Sequence, residues 1–306
     1  MVRIQAKEGH KVTNEKNLGP TQHFVPQHYL RGFSDPKRDT HIWVYNKGQS
    51  YSKGSRRNPQ NPFLQAIKSA GAERGYYSTT TLTGERILDG YDKKITEQET
   101  LGLAVLEQLR SRKPISLEEK IVFSIYIDLM MDRVPSRAIH AAQFVERAMQ
   151  EYPWDLLARK AAEEGRFDLA QKLDPSRPEN VAALKRQLLL EGVVRRSQTI
   201  VKKVASMTWQ FYFVGGRCVF PTTDNPAFHP LALGLNKNEG FIMMPIDSQL
   251  TLLISNMAAP DRAYLPATTK QYHLFRNTIL SGATSRAYAC RKDRSILARL
   301  NKPRYG

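Results

Sequence analysis

The chain has 306 residues, 41% of them hydrophobic, which suffices for one large or two ordinary domains and excludes wholesale disorder. Its 46 lysines and arginines against 29 acidic residues leave a net charge of +17. The surplus sits at the ends: residues 1–60 hold 11 basic against 4 acidic side chains, residues 261–306 hold 10 against 2, and the stretch between nearly balances.

Residues 1–20 are polar and basic and read as a flexible arm. After Pro26, Tyr29, Leu30 and Phe33 recur at helical spacing, which predicts a short helix ended by Gly32 or by Asp35-Pro36. Ile42 and Val44 alternate ahead of Asn46-Lys47-Gly48, the signature of a hairpin, and residues 53–62 form a basic loop. Gly75-Tyr76-Tyr77 and the threonines after it suggest another strand. From Thr96 the period becomes helical, with Leu101, Ala104, Val105 and Leu109 read as one apolar face. Ser116 and Glu119 form a capping box that opens the next helix, expected to run to Val134-Pro135. Further helices are expected over 136–152, over 154–173 with a break near Gly165, and from about Asn180 to Ser206. TWQFYFV, RCVFPTT, GFIMMPI and LTLLIS then read as short strands, the first two joined at Gly215-Gly216. A helix over Thr268–Ser281 and a strand over Arg286–Cys290 precede a basic tail.

The order predicts an α+β fold, a mostly helical central block packed with a largely antiparallel sheet from the N-terminal hairpin and C-terminal strands. Residues 1–20 are then an arm, 21–290 a single domain (helical over 96–206, strand-rich over 207–290) and 291–306 a tail. Cys218 and Cys290 are too few for a disulfide framework or a four-cysteine zinc site, and read as buried reduced thiols. The first residues lack the apolar core of a secretory leader, and no run reaches the roughly 18 apolar residues that span a bilayer. A cytoplasmic protein without a membrane partner is expected.

No strong catalytic motif is present, so chemistry rests on constellations. His23 and His28 flank Pro26, and two imidazoles there suit acid/base work or metal ligation. Asp128 and Asp132 share a helix face, and Arg133 and Arg137 are spaced to grip one phosphate. Asp128 interrupts an apolar stretch, where a carboxylate must find a partner or face a cleft. The loop Pro221–Pro230 carries Thr222, Thr223, Asp224 and Asn225, groups able to orient a phosphate or hold a hard metal, or else to lock a turn.

These segments, HFVPQHYLRGF, Tyr45, Gly75-Tyr76-Tyr77, the helix with Arg133, Pro135 and Arg137, Trp209, PTTDNP and Pro245, resemble a bacterial family named domain of unknown function 4238. The family's name carries no chemistry. The resemblance covers roughly residues 21–290 and implies that His23, Arg133 and Asp224-Asn225 belong to one site.

The leading expectation is a nuclease-like hydrolase acting on RNA or DNA, with a bacterial defence or stress role and a divalent metal as candidate cofactor. His23 and His28 would supply acid/base chemistry, Arg133 and Arg137 phosphate stabilisation, and Asp224 with Asn225 substrate or metal orientation, with Asp128 a further catalytic candidate. The alternative is a non-catalytic nucleic-acid-binding protein whose Arg56, Arg57, Arg291, Lys292, Arg294 and Arg299 contact phosphates while Tyr45 and Tyr51 stack bases. A scaffold built on the helical middle is the third reading.

Overall fold

Strands apolar on both faces, such as Thr208–Phe213 and Leu250–Ser255, need a cover on each side, and the computed structural model supplies both. It describes residues 19–53, 60–80, 85–137, 143, 147, 151, 153–174, 178–195, 197–230 and 233–302. In chain order the N-terminal part contributes β1 (Thr21–His23), α1 (Gln27–Leu30), β2 (His41–Asn46), β3 (Phe63–Ala66), β4 (Ala72–Arg74), β5 (Thr79–Thr80) and β6 (Arg86–Ile87). The helical middle holds α2 (Gly90–Arg110), α3 (Leu117–Asp132), α4 (Trp154–Glu163), α5 (Phe167–Lys172), α6 (Pro178–Val194) and α7 (Gln198–Ser206). The last part holds β7 (Thr208–Phe213), β8 (Thr222–Thr223), β9 (Phe241–Pro245), β10 (Leu250–Ser255), β11 (Ala263–Pro266), α8 (Thr269–Ser281), β12 (Arg286–Ala289) and α9 (Arg294–Leu300). The fold is α+β.

Two four-stranded sheets form its centre, ordered β11-β7-β10-β9 and β3-β2-β12-β8. All pairings are antiparallel except β11 with β7. In the first sheet the period of two divides the side chains. Trp209, Phe211, Ile242, Met244, Leu252 and Ile254 join the main core with Val105, Leu106, Phe123 and Ile127 of α2 and α3. On the opposite face Tyr212 and Met243 pack with Phe275 and Ile279 of α8. The second sheet is covered by α9, whose Ile296, Leu297 and Leu300 meet Tyr45, Ala287 and Ala289.

Several local expectations change. The turn after Asn46 does not close a hairpin onto the next residues: β2 pairs with β3, and residues 52 and 61 meet in an isolated bridge between them. Arg217–Phe220 form no strand, and β7 takes β10 and β11 as neighbours, so Gly215-Gly216 is not a two-strand turn. The helix expected from Asn180 to Ser206 is two helices, because the Ser197 side chain accepts from Ile200 N–H and starts α7 afresh. In α2 the buried stripe is Ile95, Glu99, Gly102, Val105, Leu106 and Leu109, whereas Leu101 is exposed. The tail is a packed helix from Arg294. Most of residues 138–150 lies outside the described residues. No helix is long and apolar enough to cross a membrane among the described residues.

Candidate functional site

The sequence candidates fall into separate places. The first is a buried charged cluster where α1, α2, α3 and β1 meet. Arg133 follows the last residue of α3 and is 2% exposed. Its guanidinium is paired with the Glu99 carboxylate, donates to the His23 carbonyl, and donates from Nε to the Tyr77 hydroxyl at 3.1 Å. His28 lies against the other oxygen of Glu99, Nδ1 to Oε2 3.7 Å, with its Nε2 3.0 Å from the Tyr126 hydroxyl. Burial, then the charges of Arg133, Arg110 and Arg31, lower the imidazole to about 4, so the ring is neutral at pH 7. A neutral ring with its proton on Nδ1, toward Glu99, accepts from Tyr126 through Nε2. His23 belongs to the same neighbourhood. Its backbone carbonyl holds Arg133, its Nε2 meets the Lys68 carbonyl at 3.2 Å, and burial followed by Arg133 lowers its ring below the usual value.

His23, His28 and Arg133 are therefore gathered, from segments 110 residues apart, by internal bonds. The guanidinium faces the protein. Arg137 points elsewhere and pairs with Asp132 at 3.1 Å, so the two arginines do not form one phosphate grip. Asp128 is fully buried in α3.

The PTTDNP loop is the second place. Asp224 is fully buried, and its carboxylate accepts from Thr284 N (2.8 Å), Ser285 N (2.7 Å), Ser285 Oγ (2.7 Å) and Arg286 N (3.0 Å). It fills a concavity of backbone N–H groups and fixes the entry to β12. Asn225 donates from Nδ2 to the Gly282 carbonyl at 3.3 Å, and its own N–H donates to Thr223 Oγ1. Neither the Asp224 carboxylate nor the Asn225 amide bonds a group of the histidine–arginine cluster. The link between the two places is Tyr29, which donates to the Pro245 carbonyl at 2.7 Å and meets Thr222 Oγ1 at 2.9 Å.

The third place comes from the chain ends. Because β2 pairs with β12, Tyr51 lies beside residues 291–294. Arg294 stands 4.3 Å from the centre of the Tyr51 ring and Lys292 5.3 Å, while Lys292 is also 5.5 Å from the Trp43 ring. Hydrogen bonds from Arg294 and Lys292 lower the phenol below its usual value. Lys292 and Arg294 are exposed. Arg291 is half-buried and donates to the Arg217 carbonyl, and Arg299 lies half-buried on α9. Tyr45 is buried, its hydroxyl bonded to Arg291 O and Asp293 N, so it cannot stack a base. Arg56 and Arg57 lie outside the described residues.

Sequence reasoning missed Glu99, the carboxylate that joins His28 to Arg133. Its signal was present: Glu99 occupies the apolar stripe of α2, four residues after Ile95. Among the described residues, no group of three or more histidine, cysteine, aspartate or glutamate side chains is arranged to hold a metal ion. No curated protein and no solved structure matches the chain. A family model does match, over residues 21–293, and takes in the first two places and the third up to Asp293, one residue short of Arg294. The chain belongs to the family described as protein of unknown function, DUF4238.

Proposed function

We propose that this protein binds single-stranded nucleic acid through the face carrying Trp43, Tyr51, Lys292 and Arg294. The observation that supports the reading is the Tyr51 ring with two exposed cations close to it, Arg294 at 4.3 Å and Lys292 at 5.3 Å from its centre. Aromatic rings accept unpaired bases by stacking, and the cations beside them meet the phosphates between bases. The cationic surplus of residues 1–60 and 261–306 adds long-range attraction for the same polyanion.

Fluorescence anisotropy with labelled single-stranded RNA, single-stranded DNA and a duplex control tests it. Affinity is expected to fall with salt, and the double variant Lys292→Ala/Arg294→Ala to flatten the logarithmic salt slope by about 0.7 for each phosphate that it no longer neutralises. Tyr51→Ala is expected to weaken single-strand binding by about 1–3 kcal/mol and to leave duplex binding nearly unchanged. Binding that is independent of salt, or equal for Tyr51→Ala and the parent, would sink the reading.

Nuclease-like hydrolysis has weaker support, because Arg133 and Asp224 spend their polar groups on the protein itself. The same labelled strands, incubated with and without magnesium or manganese, decide it. Cleavage abolished by His23→Ala would favour the catalytic reading.

A further inference from the structure

A cleft of about 660 Å³ opens beside His28, between α1 with the turn after it, α2 and the β9–β10 turn. Its walls are fixed. Arg110 donates to the carbonyls of His28 (3.1 Å) and Tyr29 (2.8 Å) and pairs with Glu107 at 2.7 Å, which ties α2 to α1. Ser248 N–H donates to the Gly32 carbonyl at 2.9 Å, which ties the β9–β10 turn to the turn after α1. A Cβ at Gly32 would stand 2.6 Å from Arg110 Nη2 and 3.1 Å from Asp247 Cβ, so the three segments meet closely there and a side chain at 32 would press on the Arg110 guanidinium.

The charges in this cleft balance, Arg31 and Arg110 against Glu107 and Asp247, although the whole chain carries +17. A polyanion would meet two carboxylates here, and an apolar ligand would find Leu103 as its main partner. Arg110 is spent on carbonyls and Glu107. Arg31 is exposed, and its guanidinium has no hydrogen-bond or ion-pair partner among the described residues. Opposite in sign, Asp247 accepts Gln249 N–H at 2.6 Å through Oδ1, and burial holds its carboxyl above the usual range despite nearby Arg110 and Arg112. Among the described residues no lysine or arginine forms an ion pair with Asp247, so the carboxylate on this wall can take a cation from a ligand.

We infer that this cleft binds a small zwitterion, a free amino acid or a close analogue, with Arg31 gripping its carboxylate and Asp247 accepting from its ammonium group. An arginine fork matches a carboxylate in two parallel hydrogen bonds. The volume lies within the range of small-molecule pockets, about 300–1,000 Å³, and leaves room for the largest amino-acid side chains.

Isothermal titration calorimetry of the full chain against each standard amino acid tests the inference. For any amino acid that binds, its N-acetyl derivative, the amine lacking its carboxylate, and inorganic phosphate serve as controls. The expected result is saturable binding by at least one amino acid, with each control at least about tenfold weaker, since both charges contribute. Arg31→Ala, at an exposed position, should keep the parent Tm and weaken binding at least about tenfold. Asp247→Asn should do the same; should it disturb the turn, Arg31→Ala decides alone. Absence of binding by every amino acid, equal binding of the acetylated form or of phosphate, or undiminished binding by Arg31→Ala would each overturn it.

Discussion

Arg133 is the side chain on which the buried cluster depends. Its pairing with Glu99 is nearly water-free, and removal of one partner strands the other charge where solvent cannot reach it. Arg133→Ala is therefore expected to lose about 3–5 kcal/mol in urea unfolding, while Arg137→Ala, at a pair that water reaches, should lose under about 1 kcal/mol. His28 adds a pH dependence of definite sign. The unfolded ring takes a proton near 6.5, whereas the folded ring resists until about 4. The unfolded state then binds more protons in that window, so stability is full above about 6.5 and falls as pH drops toward 4. The span is worth on the order of 3 kcal/mol. Stability measured across pH 7 to 4 should flatten in His28→Gln relative to the parent; parallel curves would remove His28 as the cause. Histidine pairs and isolated arginines are visible in a sequence, but whether they look outward or inward depends on partners such as Glu99 and Tyr77 that lie far along the chain.

Helices were the most legible elements, because their signals are local. The capping box of Ser116 and Glu119 opens α3 as read, with Ser116 N–H donating to Glu119 Oε2 at 2.7 Å. Thr268 caps α8 in the same manner. Strand partners were less legible, since alternation marks a strand without naming its neighbour; RCVF has strand composition and yet forms no ladder. Packing between α2 and α3 turns on a glycine that propensity alone disfavours: a Cβ at Gly102 would stand 2.5 Å from Tyr126 Cβ. Gly102→Ala should thus cost about 1–3 kcal/mol through overpacking, against the gain expected from helix propensity alone. Asp224 plays the corresponding part for β12. Its replacement by alanine leaves several N–H groups unbonded, and about 3 kcal/mol of lost stability with faster amide exchange at residues 284–286 is expected. Full stability of Asp224→Ala would show the carboxylate free for another task.

At the scale of the molecule, composition revealed an excess of positive charge at both ends, and the pairing of β2 with β12 explains how part of it comes to act together. Trp43, from the first segment, and Lys292, from the last, meet because their strands are neighbours. No reading of periods predicts that adjacency, which is made by a pairing across most of the sequence. The same pairing orders events during synthesis. Asn46 waits for Arg286, 240 residues downstream, before its strand gains that neighbour. Until then β2 presents an open edge to other chains, and the cation–aromatic face does not exist. Such long-range closure slows folding. It also means that the cation–aromatic face is assembled only after the chain has been made through β12 and on to Arg294.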